Sequence, residues 1–227
     1  MEAVERRIQG ALKRSGRKRS EITLVAVSKK FSAQRIREAY GAGLREFGEN
    51  YVQEFADKRG ELGDLSGARY HLIGHLQSNK VKLASELFQV VQTADSSKLL
   101  RRLNAAVGER QGTAEVLLEV KLSEEESKAG ASPGELAGIL ETAGECGHLR
   151  LTGLMTMPPW SDDPEHSRPY FKQLAALAGK HGLPTLSMGM SGDFEVAIEE
   201  GATLIRVGTA LFGNRPKPQP GASPAIE

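Results

Sequence analysis

The feature that most limits what this chain can fold into is a repeated alternation. A short β-branched or apolar run is followed by a segment with helical spacing, eight times over. The strand candidates are residues 22–29, 44–50, 70–77, 87–95, 114–121, 149–157, 185–190 and 204–210. Their starts lie about 26 residues apart, the length of a minimal βα unit. Most are apolar on both faces, as strands covered by helices must be. Between them, Ser32 precedes a helical pattern with Ile36, Ala39 and Tyr40, and Ser96 precedes another with Leu99, Leu100, Leu103 and Val107. Ser132, Pro133 and Glu135 read as a capping box ahead of Leu136 and Ile139, and Phe171, Leu174 and Ala178 mark one further apolar face. Residues 1–15 form an amphipathic helix through Val4, Ile8, Ala11 and Leu12, ended by Gly16.

The expectation is an α/β chain folded as a single (β/α)8 TIM barrel with an additional N-terminal helix. It comprises one domain over 1–213, with a leading helix at 1–16 and the barrel at 22–213. An open doubly wound sheet is the alternative that eight parallel strands permit. Four of the ten prolines fall in the last twelve residues, so 214–227 reads as a Pro-rich tail.

Thirty Lys plus Arg against 29 Asp plus Glu leave a net charge of +1, which removes the broad attraction most nucleic-acid binders rely on. The basic cluster at 13–19 then reads as a solvated helix end. No apolar run approaches the roughly 20 residues a membrane-spanning helix requires. The N-terminus carries acids and arginines where a secretory signal would be apolar, so a cytoplasmic location is expected. One cysteine, Cys146, allows no internal disulfide and reads as a buried thiol; five scattered histidines suggest no metal site.

In a barrel, chemistry gathers where strands end. The first strand ends in Ser28, Lys29 and Lys30. A lysine there, its stem desolvated at the barrel mouth, is a candidate Schiff-base nucleophile, although both faces of the run are apolar and periodicity does not choose between the two. At the seventh strand end, Ser191, Gly192 and Asp193 lead into a helix. At the eighth, Arg206, Val207, Gly208 and Thr209 lead into a short turn. Two helix N-termini side by side, with glycines for close approach and hydroxyls as donors, make a phosphate cradle. A lysine facing such a cradle suggests a phosphorylated aldehyde, of which pyridoxal phosphate is the common one.

The strings LVAVSKK, FGENYVQE, HLIGHLQSNK, SMGMSGD and RVGTALFG resemble those of the pyridoxal 5'-phosphate homeostasis proteins, single-domain relatives of the alanine racemase N-terminal barrel. The resemblance runs from about Ile22 to Gly213. It implies a cofactor held as an aldimine on Lys29, a phosphate bound by Ser191, Gly208 and Thr209 with the amide of Gly192, Arg206 at the pyridine nitrogen, and Asn50 lining the pocket. His75 receives no role; His71 is either a pocket wall or a satisfied core imidazole. Met155 and Met157 are expected as apolar lining.

Arginine holds its proton, so a ring nitrogen facing Arg206 stays unprotonated and the cofactor is a weak electron sink. The racemase pattern adds a second base, a tyrosine from a C-terminal β-domain, whereas only 14 residues follow Gly213 here. None of Tyr40, Tyr51, Tyr70 and Tyr170 lies where it would obviously cross the pocket. The expected protein is a monomeric, non-catalytic carrier that buffers pyridoxal phosphate and passes it to apo-enzymes, with Lys128 in the mouth loop as a second lysine. The alternatives are an amino-acid racemase, or a Schiff-base lyase acting on a phosphorylated substrate.

Overall fold

The computed structural model describes residues 1–125 and 129–213. Lys128 and the 214–227 tail therefore lie outside the described residues. Eight parallel strands close into a barrel in chain order: β1 (Thr23–Val27), β2 (Glu46–Glu49), β3 (Arg69–Leu72), β4 (Val90–Ala94), β5 (Ala114–Glu119), β6 (Leu149–Met155), β7 (Thr185–Ser187) and β8 (Leu204–Val207). The (β/α)8 expectation is met, and the open-sheet alternative falls because β1 pairs with β8, Val25 opposite Arg206.

A leading helix α1 (Glu2–Ser15) precedes the barrel, and among the described residues eight more α-helices follow: α2 (Ala33–Gly41), α3 (Val52–Arg59), α4 (Val81–Leu87), α5 (Ser97–Glu109), α6 (Leu136–Glu145), α7 (Arg168–His181), α8 (Phe194–Glu199) and α9 (Thr209–Phe212). Helix α1 buries Val4, Ile8, Ala11 and Leu12, and Gly16 ends it in the left-handed conformation at φ 70°. Ser96 caps α5 by accepting from the Leu99 amide at 3.3 Å. At α6 only half of the expected capping box forms. The Glu135 carboxylate takes the Ser132 amide at 2.9 Å and also the Ser132 hydroxyl at 2.7 Å, so that hydroxyl turns away from the helix, which starts at Leu136.

The strands are shorter than the apolar runs that announced them. Residues 28–29, 73–77, 156–157 and 188–190 belong to the same runs but lie past the strand ends, at the barrel rim. At the start of the fourth run, Leu87 belongs to α4 and the strand begins at Val90.

Outward strand residues pack under the helices; Phe55 of α3, for example, lies 4.7 Å from the Tyr70 ring and 5.0 Å from that of Phe88. Two arginines of the basic stretch at the end of α1 make contacts with α8, while Lys13 and Lys18 are exposed. Arg14 pairs with Glu199 at 2.6 Å, and Arg17 Nη1 donates to the Ile198 and Ala202 carbonyls at 2.9 and 2.7 Å, tying α1 to α8. Cys146 is buried just past α6, and burial pushes its thiol pKa up. Among the described residues no helix is long and apolar enough to cross a membrane.

Candidate functional site

The strand ends of β1, β2, β7 and β8 surround a cavity of about 390 Å³ at the C-terminal mouth. Lys29, Asn50, Ser191, Gly192, Arg206, Gly208 and Thr209 all line it. Barrel closure brings them together, since the β1–β8 ladder sets the Lys29 turn beside the Gly208–Thr209 turn. Val27, Phe31, Ile73 and Met157 supply apolar wall. Met155 does not reach the cavity; it lies inside the barrel with Val90 and Leu117, because β6 ends there and the chain turns outward after it.

The turn after β1 separates the two lysines. Lys30 adopts φ 64°, a left-handed conformation unusual for a side-chain-bearing residue, and its side chain is exposed. Its amide donates to Glu54 Oε1 at 2.6 Å. Lys29, half-buried, is the one that lines the cavity. The turn is clamped from behind by Lys58 of α3, whose Nζ donates to the Ser28 and Phe31 carbonyls at 3.3 and 3.1 Å and to Glu54 at 3.0 Å. The same ammonium pairs with fully buried Glu49 at 2.9 Å, and Ser28 Oγ donates to that carboxylate at 2.7 Å. Burial pushes the Glu49 pKa up to about 7 against the pull of Lys58.

On the opposite wall Ser191 Oγ accepts from the amides of Gly208 and Ala210 at 3.3 and 3.4 Å, joining the two turns after β7 and β8. Arg7 of α1 reaches over the Phe194 ring, pairs with Glu195 at 2.7 Å and donates to the Ser191 carbonyl at 3.2 Å. The leading helix thus braces the cradle. Asp193 caps this corner, accepting from the Met190 amide at 2.7 Å and the Ser167 hydroxyl at 2.8 Å.

Arg206 is buried in β8, with Nη1 donating to Ser187 Oγ at 2.6 Å and Nη2 to the Thr156 carbonyl at 2.9 Å. Burial lowers its pKa to about 10, so it remains a cation at neutral pH. Glu119, at the end of β5, faces an adjoining cavity of about 320 Å³ that shares Met157, Trp160 and Met190 with the first. Burial raises its pKa to about 7 although Arg206 pulls it down.

Two observations test whether these residues fit a phosphorylated pyridine aldehyde. The Asn50 Oδ1 atom is buried without a hydrogen-bond partner in the protein, and a side chain at Gly192 would meet nothing within 4 Å, leaving the cradle open to a ligand. One amine, two hydroxyls, backbone amides and one guanidinium around an apolar wall match the aldehyde, phosphate, ring nitrogen and ring faces of such a molecule. Asn50 itself is placed by close packing: a Cβ at Gly74 would sit 2.7 Å from its Cα. Gly74→Ala is expected to push Asn50 aside and to destabilise the fold by about 1–3 kcal/mol, measured by urea denaturation.

His71 is a core imidazole and no wall of the mouth cavity: it is 2% exposed, between Glu46 and Gln92 near the opposite end of the barrel. Sequence reasoning missed Arg7, Glu49, Lys58, Gln92 and Ser187. For Gln92 and Ser187, a polar residue at an inward position of a buried strand was the available signal. Lys58 carried none, since a lysine on a helix ordinarily faces water.

The chain matches the family model described as "Alanine racemase, N-terminal domain" over residues 1–216. It is 42% identical over 215 residues to the "Pyridoxal phosphate homeostasis protein" of Aquifex aeolicus, covering 92% of this chain and 94% of that one. Among solved structures, PipY of Synechococcus elongatus, with PLP bound, has a TM-score of 0.80 at 39% identity, covering 91% of this chain and 100% of its own. An alanine racemase of Clostridium difficile shares the fold at a TM-score of 0.72 and 12% identity; the match covers 93% of this chain and 57% of the racemase. Barrel, mouth cavity and sequence agree: this chain belongs to the alanine racemase N-terminal domain family and, within it, to the pyridoxal phosphate homeostasis proteins.

Proposed function

We propose that the mouth cavity holds pyridoxal 5'-phosphate, with the Lys29 amine joined covalently to its aldehyde carbon, and that the protein buffers this cofactor and releases it to apo-enzymes without substantial catalysis of its own. In this reading Ser191, Gly192, Gly208 and Thr209 hold the phosphate, Arg206 donates to the ring nitrogen, and Asn50 completes the wall. We further propose that the protein works as a monomer in the cytoplasm. When bound, the cofactor supplies an aldehyde that captures amines and a ring that stabilises a neighbouring carbanion.

The observation that carries the carrier reading is Arg206. It is a cation whose Nη1 and Nη2 are both anchored, so it donates but takes up no proton, and the ring it faces stays a weak electron sink. Among the described residues the cavity lining contains no tyrosine. A second reading, residual racemisation, is favoured by one group: Glu119, titrating near neutrality beside Arg206, is able to move a proton at physiological pH.

Trp160, the single tryptophan of the chain, is 83% exposed and lines the cavity mouth. Titration with pyridoxal phosphate is therefore expected to quench its emission in step with growth of an absorption band at the visible edge, saturating at one cofactor per chain. Unchanged fluorescence and no band would sink the cofactor reading and leave the lyase alternative. Exchange of amino-acid Cα hydrogen for deuterium at a catalytic rate, lost in Glu119→Gln, would replace the carrier reading by the racemase one.

A further inference from the structure

Five polar side chains from five strands form one continuous chain of hydrogen bonds through the barrel interior. Arg206 Nη1 donates to Ser187 Oγ at 2.6 Å, and Ser187 donates to Gln92 Oε1 at 2.6 Å. Gln92 Nε2 lies 2.8 Å from His71 Nδ1, and His71 Nε2 lies 2.6 Å from Glu46 Oε2. Arg206, Ser187, Gln92 and His71 are buried, and Glu46 is half-buried at the floor.

The chain has one direction. A guanidinium only donates, so Ser187 accepts from it and gives its own proton to Gln92 Oε1. That turns the Gln92 amide nitrogen toward His71, whose Nδ1 must then accept. The imidazole carries its proton on Nε2 and offers it to Glu46. Barrel interiors are ordinarily filled by branched apolar side chains, and a buried polar group is costly unless paired. Here every member is paired, with a cation at the mouth and a carboxylate at the floor.

We propose that this relay is a positioning device for Arg206, holding its guanidinium toward the mouth cavity, and that it couples occupancy of that cavity to the imidazole of His71 on the barrel floor. The proposal rests on the reading that the cavity holds pyridoxal phosphate. At the mouth Arg206 also feels Glu119 and Asp193. At the floor His71 faces Glu46 and shares a cavity of about 230 Å³ with Glu21, Arg69 and Glu115. A change in how Arg206 donates at the mouth alters the Ser187 hydroxyl, the Gln92 amide and then the imidazole, because each has a single compatible partner on either side.

The test follows the ring nitrogens of the five histidines by long-range ¹H–¹⁵N NMR, on the full chain with and without pyridoxal phosphate, with loading scored separately by Trp160 quenching. The free protein should show His71 protonated on Nε2. Loading should shift the His71 ring nitrogens more than those of His148, His166 and His181. Ser187→Ala should still load yet lose that shift and release the cofactor about tenfold faster, whereas Ser187→Thr, which keeps the hydroxyl, should restore both. Gln92→Glu, of nearly equal volume, keeps an acceptor for Ser187 but offers a carboxylate to Nδ1, so His71 should gain a proton there even without cofactor. A native His71 signal indifferent to loading, a shift that survives Ser187→Ala, or an unchanged His71 tautomer in Gln92→Glu overturns the relay. Failure to load, with the Gln92→Glu change still present, overturns the cofactor reading and the coupling but leaves the relay as a structural fact.

Discussion

Replacing Lys29 by alanine is expected to abolish covalent capture of pyridoxal phosphate and to weaken cofactor retention by about two orders of magnitude or more. The physical reason is that the phosphate cradle and Arg206 remain, so a non-covalent complex persists, but the bond that slows release is gone. Stability should change by only about 0.5 kcal/mol, because Lys29 is a half-buried turn residue and no part of the hydrophobic core. Borohydride reduction of the loaded protein followed by peptide mass mapping checks this directly. The native chain should carry one cofactor mass on the Lys29 peptide and the variant none. An adduct that persists on Lys30 or another lysine would show that the reactive amine has been misassigned, while leaving the cavity itself intact.

Lys58→Met should have the largest effect on the fold around the site, and its size should depend on pH. The substitution strands the Phe31 carbonyl, leaves the Ser28 carbonyl with the Phe31 amide alone, and removes the only cation that pairs with Glu49 among the described residues. The folded-state pKa of Glu49 is about 7, above its ordinary value of 4.5. Between those values the folded protein holds more protons than the unfolded chain, so this group favours folding at low pH and its contribution declines as pH rises through 7. That decline amounts to about 3 kcal/mol in the native protein. Without Lys58 the carboxyl is pushed higher still. At pH 5 it is neutral in either protein, and the variant should lose about 1–2 kcal/mol from the unpaired Phe31 carbonyl and the weakened Ser28 one. At pH 8 the loss should reach about 3–5 kcal/mol, the cost of breaking one partner out of a buried ion pair. Urea denaturation at the two pH values measures both, and Glu49→Gln in the same background should restore much of the pH 8 loss. Equal destabilisation at pH 5 and pH 8 would mean that Glu49 is not the group responsible. The same variant should also retain cofactor less well, since Lys58 holds both ends of the turn that carries Lys29.

Much of this architecture is legible in the sequence. The 26-residue beat, the two-faced apolar strands and the serine and glycine punctuation require only local chemistry, and they led to the barrel. Of the seven candidate ligands, local chemistry reaches a lysine at one strand end and the glycine-hydroxyl turns at two others, whereas Asn50, the choice of Lys29 and the role of Arg206 come from the family resemblance. The strands end earlier than the runs because apolar residues such as Ile73, Leu76, Met157 and Met188 stand at the rim past the last paired position. Ile73 and Met157 are apolar for the cavity's sake and not the ladder's.

What the sequence determined alone is therefore periodicity: where strands and helices alternate, and which residue types stand at their ends. What tertiary structure decided is adjacency. Residues 29 and 209 meet only because β1 closes on β8. Periodicity leaves Lys29 and Lys30 equivalent, and it is the left-handed turn held by Glu54 and Lys58 that turns one to the cavity and the other to solvent. The polar run from Arg206 to Glu46 becomes continuous only when five strands point inward together. Local propensity acts over a few residues along the chain, whereas pairing across the barrel is set by closure and by the need to satisfy every buried polar atom at once.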